Sequence, residues 1–186
     1  MFSRALYLSL SAAVALCAQA PNPEVHRLAA EGHYSPERWE GHSALLGKRA
    51  PKLQLGGWLS GKVTPKDMEG KIVVVDFWAT WSGPCIRAIP HNNRVASKYA
   101  AKGVIFVGVC GSCSGQSMMP TAVKKAGITY PVARTTPSTE EAWKIAAYPT
   151  YGVVDRKGIL RALGIRGDYV ERVVDALLAE DDTESR

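Results

Sequence analysis

Two continuous apolar runs, separated by a helix-length segment, constrain the fold of this chain more than any other feature. Residues 71–79 (KIVVVDFWA) and 104–110 (VIFVGVC) are rich in β-branched and aromatic residues, which is typical of strands buried on both faces. Between them, Pro84 favours the start of a helix and Gly103 its end. Because such a crossover joins parallel strands, we predict an α/β fold whose first two long strands end at the same sheet edge, where such folds place their sites.

The rest of the chain continues the alternation of helices and strands. Periodicity and turn residues predict helices over residues 120–126, 140–147 and 168–179, and extended segments over 128–132, 151–155 and 159–163. Gly127 would end the first of these helices, and residues 138–141 (STEE) fit a capping box before the second. Arg156-Lys157-Gly158 is typical of a hairpin turn. We therefore expect a central mixed β-sheet flanked by helices.

Residues 1–20 have the features of a secretory signal peptide. Arg4 supplies a positive charge, residues 5–17 are mostly apolar, and Ala18-Gln19-Ala20 fits the A-x-A form of a cleavage site. The apolar run is short for a membrane span. Pro21 follows the expected cut and hinders cleavage, so an uncleaved membrane anchor is the alternative. In either case, we expect export to the periplasm or cell envelope.

The cysteine count bears on function because exported cysteines form lasting disulfides. The chain has four cysteines, at positions 17, 85, 110 and 113. Signal cleavage removes the first and leaves an odd number. At least one thiol is then free or pairs between molecules, which favours reactive sulfur over a purely structural disulfide framework.

The chain divides into four segments in our interpretation: the signal peptide (1–20), a polar tether with one short helix beginning at Ser35 (21–45), one folded domain (46–180) and an acidic tail (181–186). His26, His33 and His42 lie in the tether, and their spacing places no pair on one helix face, so we interpret them as solvated and predict no metal site. The net charge of +6 is spread along the chain, which predicts no nucleic-acid partner. No cofactor is expected.

Residues 75–85 read VDFWATWSGPC, and residues 148–151 read YPTY. These segments resemble the active-site segment and the cis-proline loop of thioredoxin. Residues 46–179 as a whole resemble the exported thiol–disulfide oxidoreductases of the TlpA/ResA type, which are relatives of the AhpC/TSA redoxins. The resemblance implies a thioredoxin-like fold, a cis bond before Pro149, and protein thiols, protein disulfides or a reductant protein as partners.

The active-site segment departs from the thioredoxin pattern at Ser82, which stands where the first cysteine of the CxxC motif would be. A hydroxyl neither ionises usefully at neutral pH nor forms a disulfide, so Ser82 is left to cap the helix or to hydrogen-bond the remaining sulfur. Cys85, in the first helical turn, is therefore the predicted reactive thiol, with a pKa lowered by the helix N-terminus.

Four further residues are predicted to belong to the site. Asp76 lies inside an apolar strand, where burial raises the pKa of a carboxyl and lets it transfer protons. By resemblance it matches the buried acid that serves the second motif cysteine. Tyr148 and Trp81 are expected to line the substrate site beside Pro149, whereas Trp78 is expected in the core.

A second CxxC, Cys110-Gly111-Ser112-Cys113, follows the end of the second long strand. Because adjacent strands lie only about 4.8 Å apart, Cys110 and Cys113 are candidate partner sulfurs for Cys85. They would pair with it directly or exchange with it as a Cys110–Cys113 disulfide. The other interpretation is that Cys110 packs in the core and Cys113 is a loop thiol, or that the two form a static local disulfide.

Two other functions remain open from the sequence. Ser82-Gly83-Pro84-Cys85 fits the short T/S-x-x-C element of peroxiredoxins, in which the cysteine is oxidised by peroxide, with Arg134 as a candidate supporting arginine. Alternatively, the domain is a redox-inactive module that holds extended peptides in its cis-proline groove.

Overall fold

The computed structural model describes residues 22–112 and 114–184. The predicted signal peptide, Cys113 and the last two residues of the predicted tail lie outside the described residues. Among the helices of these two ranges, none is both long and apolar enough to cross a membrane.

The described residues form a six-stranded mixed sheet with the order β1-β4-β3-β2-β5-β6. The strands are β1 (Gly56–Leu59), β2 (Ile72–Trp78), β3 (Val104–Cys110), β4 (Val132–Arg134), β5 (Thr150–Val154) and β6 (Leu160–Ile165). Strand β3 runs parallel to both β2 and β4, and the other pairs are antiparallel. The mixed α/β sheet predicted from the sequence is therefore confirmed.

Helices precede, connect and follow these strands. They are α1 (Pro23–Gly32), α2 (Pro36–Ser43), α3 (Pro65–Met68), α4 (Gly83–Ala100), α5 (Met119–Ala126), α6 (Pro137–Ala142) and α7 (Gly167–Glu184), with a 3₁₀ turn at Gln116–Met118. Helix α7 continues to Glu184 and so includes part of the segment 181–186 that was expected as a tail.

Strand β2 lies at the centre of the sheet, and all seven of its residues are buried. Its side chains alternate between two apolar clusters: Ile72, Val74 and Trp78 belong to one, and Val73, Val75 and Phe77 to the other. Helices α1, α4, α5 and α7 contribute to the first cluster. This burial on both faces explains the unbroken apolar run in the sequence.

Two predicted elements are displaced in the structure. The extended segment expected at 128–132 is a strand only from Val132, because Ile128 donates its N–H to Val123 O (3.1 Å) and so completes the end of α5. The helix expected at 140–147 is α6, which starts at Pro137 and ends at Ala142. Its N-cap is Thr136, so the predicted capping box does not form.

The N-terminal segment contains two helices where the sequence suggested a tether with one. Each begins with proline at its first position, where the missing N–H costs nothing. Val25, Leu28 and Ala29 of α1 are buried in the first apolar cluster. The outer face of α1 is polar, which made the segment look irregular in sequence.

His42 is buried, with 1% of its surface exposed, contrary to the expectation that all three N-terminal histidines are solvated. Its ring nitrogens lie within hydrogen-bonding distance of His33 and of the Lys144 carbonyl. No cluster of three metal-ligating side chains occurs in the described part of the chain.

If α1 belongs to the folded core, Leu28→Ala should reduce the free energy of unfolding by roughly 2–5 kcal/mol, since it removes a side chain that is 2% exposed. The control in the same helix is Arg27→Ala. This arginine forms half-exposed ion pairs with Glu24 and Glu31, and such pairs contribute at most about 1 kcal/mol. Urea unfolding measures both changes, and equal small losses would contradict the packing of α1.

Candidate active site

The candidate site lies where β2 and β3 end side by side. Trp78 and Cys110 are paired across the two strands, and Gly111 donates its N–H to Trp78 O (2.9 Å). After β2 the chain turns tightly, with the Ser82 N–H donating to Ala79 O (3.0 Å), and enters α4. The turn thus brings the beginning of α4 to the carboxyl edge of the parallel strands, as the sequence predicted.

Ser82 is the N-cap of α4, because its Oγ accepts the Cys85 N–H at 3.3 Å. Both residues are buried, and Cys85 is 3% exposed. Burial is the main cause that raises the pKa of the Cys85 thiol to about 11; the nearby Asp76 charge also raises it, whereas the Ser82 hydroxyl lowers it. The predicted lowered pKa is therefore wrong for this arrangement, since the loss of water around the sulfur outweighs the helix terminus.

Asp76 is buried beneath α4, and only one of its two carboxylate oxygens is hydrogen-bonded to the described residues. Its Oδ2 accepts hydrogen bonds from Asn92 Nδ2 (3.0 Å) and from the Tyr130 hydroxyl (3.3 Å). Its Oδ1 is buried and has no hydrogen-bond partner among the described residues. Burial raises the pKa of Asp76 to about 7, in spite of the two hydrogen bonds, which lower it. The direction agrees with the prediction from its apolar strand.

Asn92 and Tyr151 extend this polar network. The Tyr151 hydroxyl donates to Asn92 Oδ1 at 3.2 Å, and Tyr151 is the cross-strand partner of Asp76. Sequence reasoning missed the network. The spacing of seven residues between Cys85 and Asn92 places them on one helix face and was an available signal. The position of Tyr151 depends on strand register and that of Tyr130 on the loop before β4, and neither can be derived from the sequence pattern.

The cis-proline loop also borders the site, next to the motif turn. The Tyr148–Pro149 peptide bond is cis, as the resemblance implied. Trp81 is 60% exposed, and its ring meets the edge of the Tyr148 ring at 6.1 Å between centroids. Trp81 and Tyr148 therefore form a contact between the motif turn and the cis-proline loop, while Trp78 is buried in the core.

Glu140 joins the cis-proline loop to the loop that follows β3. Its carboxylate accepts hydrogen bonds from the Tyr148 hydroxyl, the Ser112 hydroxyl and the Ser112 N–H, the last at 3.2 and 3.3 Å. A Cβ at Gly111 would lie 2.2 Å from the Tyr148 hydroxyl oxygen, so only glycine fits there without a shift. Sequence reasoning placed Glu140 only in a capping box and missed this contact.

Cys110 is buried at the end of β3 and belongs to the same apolar cluster as Cys85. Its carbonyl accepts hydrogen bonds from Thr135 N (3.0 Å) and Gln116 Nε2 (3.1 Å), which fixes the backbone at this point. Cys113 lies outside the described residues. The pairing of Cys85 with either sulfur therefore stays a prediction.

Comparisons with known proteins agree with this geometry. The thioredoxin-like protein YneN of Bacillus subtilis (strain 168) is 25% identical over 120 residues, which cover 64% of this chain and 71% of that protein. The thiol-disulfide oxidoreductase ResA of Bacillus anthracis is 32% identical over 108 residues, or 58% of each chain. The chain thus spans little more than half the length of that relative.

Among solved structures, the thiol:disulfide interchange protein of the thioredoxin family from Chlorobium tepidum TLS superposes with a TM-score of 0.60 at 29% identity. The superposition covers 70% of this chain and 97% of that chain. The Redoxin family model matches residues 45–178, which include every described element from β1 to β6 and most of α7. The chain therefore belongs to the Redoxin family and has a thioredoxin-like fold.

Proposed function

We propose that this protein is a thiol–disulfide oxidoreductase in which Cys85 is the reacting sulfur and Asp76 accepts its proton. The observation that carries the proposal is a buried carboxyl, one oxygen of which has no hydrogen-bond partner among the described residues, in the strand that leads to a buried thiol. Burial raises the pKa of the carboxyl to about 7 and that of the thiol to about 11. A thiol with so high a pKa needs a base near neutral pH, and a carboxyl that is half ionised near pH 7 meets that need. The names of the ResA and Chlorobium relatives support the reaction class.

In the first step, the Cys85 sulfur attacks one sulfur of a substrate disulfide while Asp76 takes the thiol proton. A bond forms between Cys85 and that sulfur, the substrate S–S bond breaks, and the other substrate sulfur leaves as a thiolate. The leaving thiolate then receives a proton, for which protonated Asp76 is the donor. The substrate disulfide is reduced, and Cys85 is held in a mixed disulfide.

In the second step, another thiol resolves the mixed disulfide. Ser82 has no sulfur, so the candidates within the chain are Cys110 and Cys113. Attack by either on the Cys85 sulfur releases the substrate as a thiol and leaves a Cys85–Cys110 or Cys85–Cys113 disulfide, which an external dithiol or a reductant protein reduces. Support comes from the position of Cys110 at the end of β3, in the apolar cluster that contains Cys85.

We propose that protein or peptide substrates dock between Trp81 and the loop at Tyr148 and Pro149. A cis-proline loop leaves extended backbone available for a peptide to pair with, and the exposed ring of Trp81 offers an apolar contact at its rim. We also propose that the protein works outside the cytoplasm, in the periplasm or cell envelope, because residues 1–20 fit a signal peptide.

The same observations give less support to the peroxidase alternative, because peroxide reduction needs a ready thiolate. Burial raises the pKa of Cys85 instead. The binding-module alternative accounts for the cis-proline loop, but it leaves the buried carboxyl of Asp76 without a role.

The direct test incubates the reduced protein with a fluorescent peptide whose cysteine is in a mixed disulfide with glutathione. We expect mass spectrometry to find the peptide on Cys85, and we expect Cys85→Ser to slow glutathione release at least about a hundredfold. Cys110→Ser and Cys113→Ser should keep the first step, and the variant that traps the mixed disulfide identifies the resolving sulfur.

A Cys85→Ser variant that still binds the peptide, together with no exchange by the wild type, would favour a binding module. Rapid sulfenylation of Cys85 by hydrogen peroxide would favour a peroxidase.

Replacing Ser82 by cysteine should increase turnover at least about tenfold with the same peptide and excess dithiothreitol. A sulfur at the N-cap of α4 provides a second motif sulfur, which can resolve the mixed disulfide on Cys85 within the motif. Ser82→Ala is the control, because it removes the hydroxyl without adding a thiol. Equal rates for the Ser82→Cys and Ser82→Ala variants would mean that another part of the site limits exchange.

Asp76→Asn should slow exchange at pH 8 by about a hundredfold, since general-base catalysis contributes at least that much.

Asp76→Asn should also change the pH dependence of stability. The pKa of Asp76 is raised from 3.8 to about 7, so its stabilising contribution is complete below pH 3.8 and is lost as the pH rises through 7. The difference corresponds to roughly 4 kcal/mol. Urea unfolding from pH 4 to 8 should show this loss in the wild type and not in Asp76→Asn; parallel profiles would contradict the burial of an ionisable group here.

A further inference from the structure

The N-terminal segment contacts the chain on both sides of the cis-proline through His42 of α2 and Tyr34, which lies between α1 and α2. His42 of α2 lies with Nε2 3.1 Å from the carbonyl oxygen of Lys144, five residues before Pro149. On the other side of the proline, the Thr150 hydroxyl lies 3.2 Å from the Tyr34 hydroxyl. The loop is therefore fixed at both ends by residues that precede the thioredoxin-like domain.

The hydrogen bonds around the two histidines form a chain in which every donor lies on the Ser35 side and every acceptor on the Lys144 side. Ser35 N–H donates to His33 Nδ1 (3.2 Å), so that nitrogen carries no proton. The neutral ring then has its proton on Nε2, which lies 2.8 Å from His42 Nδ1 and donates to it. His42 in turn carries its proton on Nε2 and donates to Lys144 O. Each ring fits the chain only when it is neutral.

The surroundings leave no room for the pair to rearrange. Gly164 of β6 has φ +73°, and a Cβ there would lie 2.4 Å from His42 Nδ1 and 2.5 Å from His33 Nε2. The backbone of β6 thus passes directly over the hydrogen bond between the rings. The Tyr34 ring stacks on His33 at 5.4 Å, with 9° between the planes.

The charged groups that act on the pair are cations. Burial is the main cause that lowers the pKa of His42 below its usual 6.5, and the charges of Arg38 on α2 and of Lys144 lower it further. The pKa of His33 is also lowered, by burial and by His42. The residue of β6 that lies against the two histidines is Gly164, which carries no titratable group.

We propose that His33 and His42 are positioning residues for the cis-proline loop, and that protonation of the pair releases the loop and weakens substrate docking in acid. A second proton on His42 would place two N–H groups opposite each other where one hydrogen bond now exists, and a second proton on His33 would displace Ser35 N–H. Either event removes one of the two hydrogen bonds, Ser35 N–H to His33 or His33 to His42, that hold the His42 ring in position against Lys144 O. This inference rests on the proposed function only for its effect on substrate.

The sign of the pH dependence follows from the lowered pKa values. Above pH 6.5 the histidines are neutral both in the folded and in the unfolded chain, and the full hydrogen-bond chain is present. As the pH falls below 6.5, the unfolded chain and the released loop bind protons that the intact pair excludes. The loop therefore loosens as the pH is lowered from 7.5 to 5.5.

The test measures hydrogen–deuterium exchange of the backbone amides in residues 144–151 at pH 7.5 and 5.5, corrected for the intrinsic exchange rate. Protection in the wild type should fall about tenfold in acid. His42→Gln should reduce this pH dependence, because the amide retains an N–H donor for Lys144 O and does not titrate, which leaves His33 as the remaining titrating ring. His26→Gln, the same change at an exposed histidine, should behave as the wild type. Tyr34→Phe, which removes only the contact to Thr150, should lower protection equally at both pH values.

With the glutathionylated peptide and dithiothreitol, KM of the wild type should rise about tenfold between pH 7.5 and 5.5, while KM of His42→Gln should rise less. Loop protection that does not change with pH, or the same change in the wild type and in His42→Gln, would overturn the inference. A wild type that exchanges no disulfide at any pH would overturn the proposed function instead, and the hydrogen-exchange result would still decide the role of the histidines.

Discussion

The buried carboxyl of Asp76 is the constraint around which the site is built. An unpaired carboxylate in the central strand of a sheet is costly, so neighbouring elements supply hydrogen bonds to it: α4 through Asn92, and the segment before β4 through Tyr130. Tyr151 of β5 completes the network through Asn92. These contacts fix the position of α4 over the sheet, and with it the depth at which Cys85 lies. The Oδ1 of Asp76, which has no hydrogen-bond partner among the residues that the structure describes, leaves a position open for a proton.

The positions of the main elements could be predicted from the sequence because their signals are local. Strands β2 and β3 are continuous apolar runs, and Gly127 ends α5 by adopting the left-handed conformation. The errors arose where packing overrode local pattern. Ile128 completes the end of α5 instead of starting a strand, and the buried Trp143 lies just beyond the end of α6. Pro23 and Pro36, which lie in the segment interpreted as a tether, begin helices, because each stands where a helix has no use for the missing N–H.

For the site, the sequence predicted which residues are present but not the environment of each. Cys85, Asp76, Trp81 and Pro149 were predicted as site residues from residue type, order and the resemblance to thioredoxin, and the burial of Asp76 was expected from its apolar strand. The pKa of Cys85 was not, since the helix terminus can be read from the sequence whereas the burial of the sulfur depends on how α4 packs. Glu140 and the histidine pair were missed for a related reason: their partners lie 8 to 102 residues away, as with His42 and Lys144, and no periodicity connects them.

Ser82 has a consequence for stability that is separate from redox chemistry. Serine is among the best N-cap residues, whereas cysteine is not, and a good cap stabilises a helix by about 1 kcal/mol. At this position the hydroxyl begins an 18-residue helix that carries Cys85 and Asn92. The substitution that removes one sulfur from the motif therefore anchors the main helix of the domain more firmly. A dithiol form of the same site would carry more reactive sulfur on a less securely started helix, so rigidity and reactivity are opposed at this single side chain.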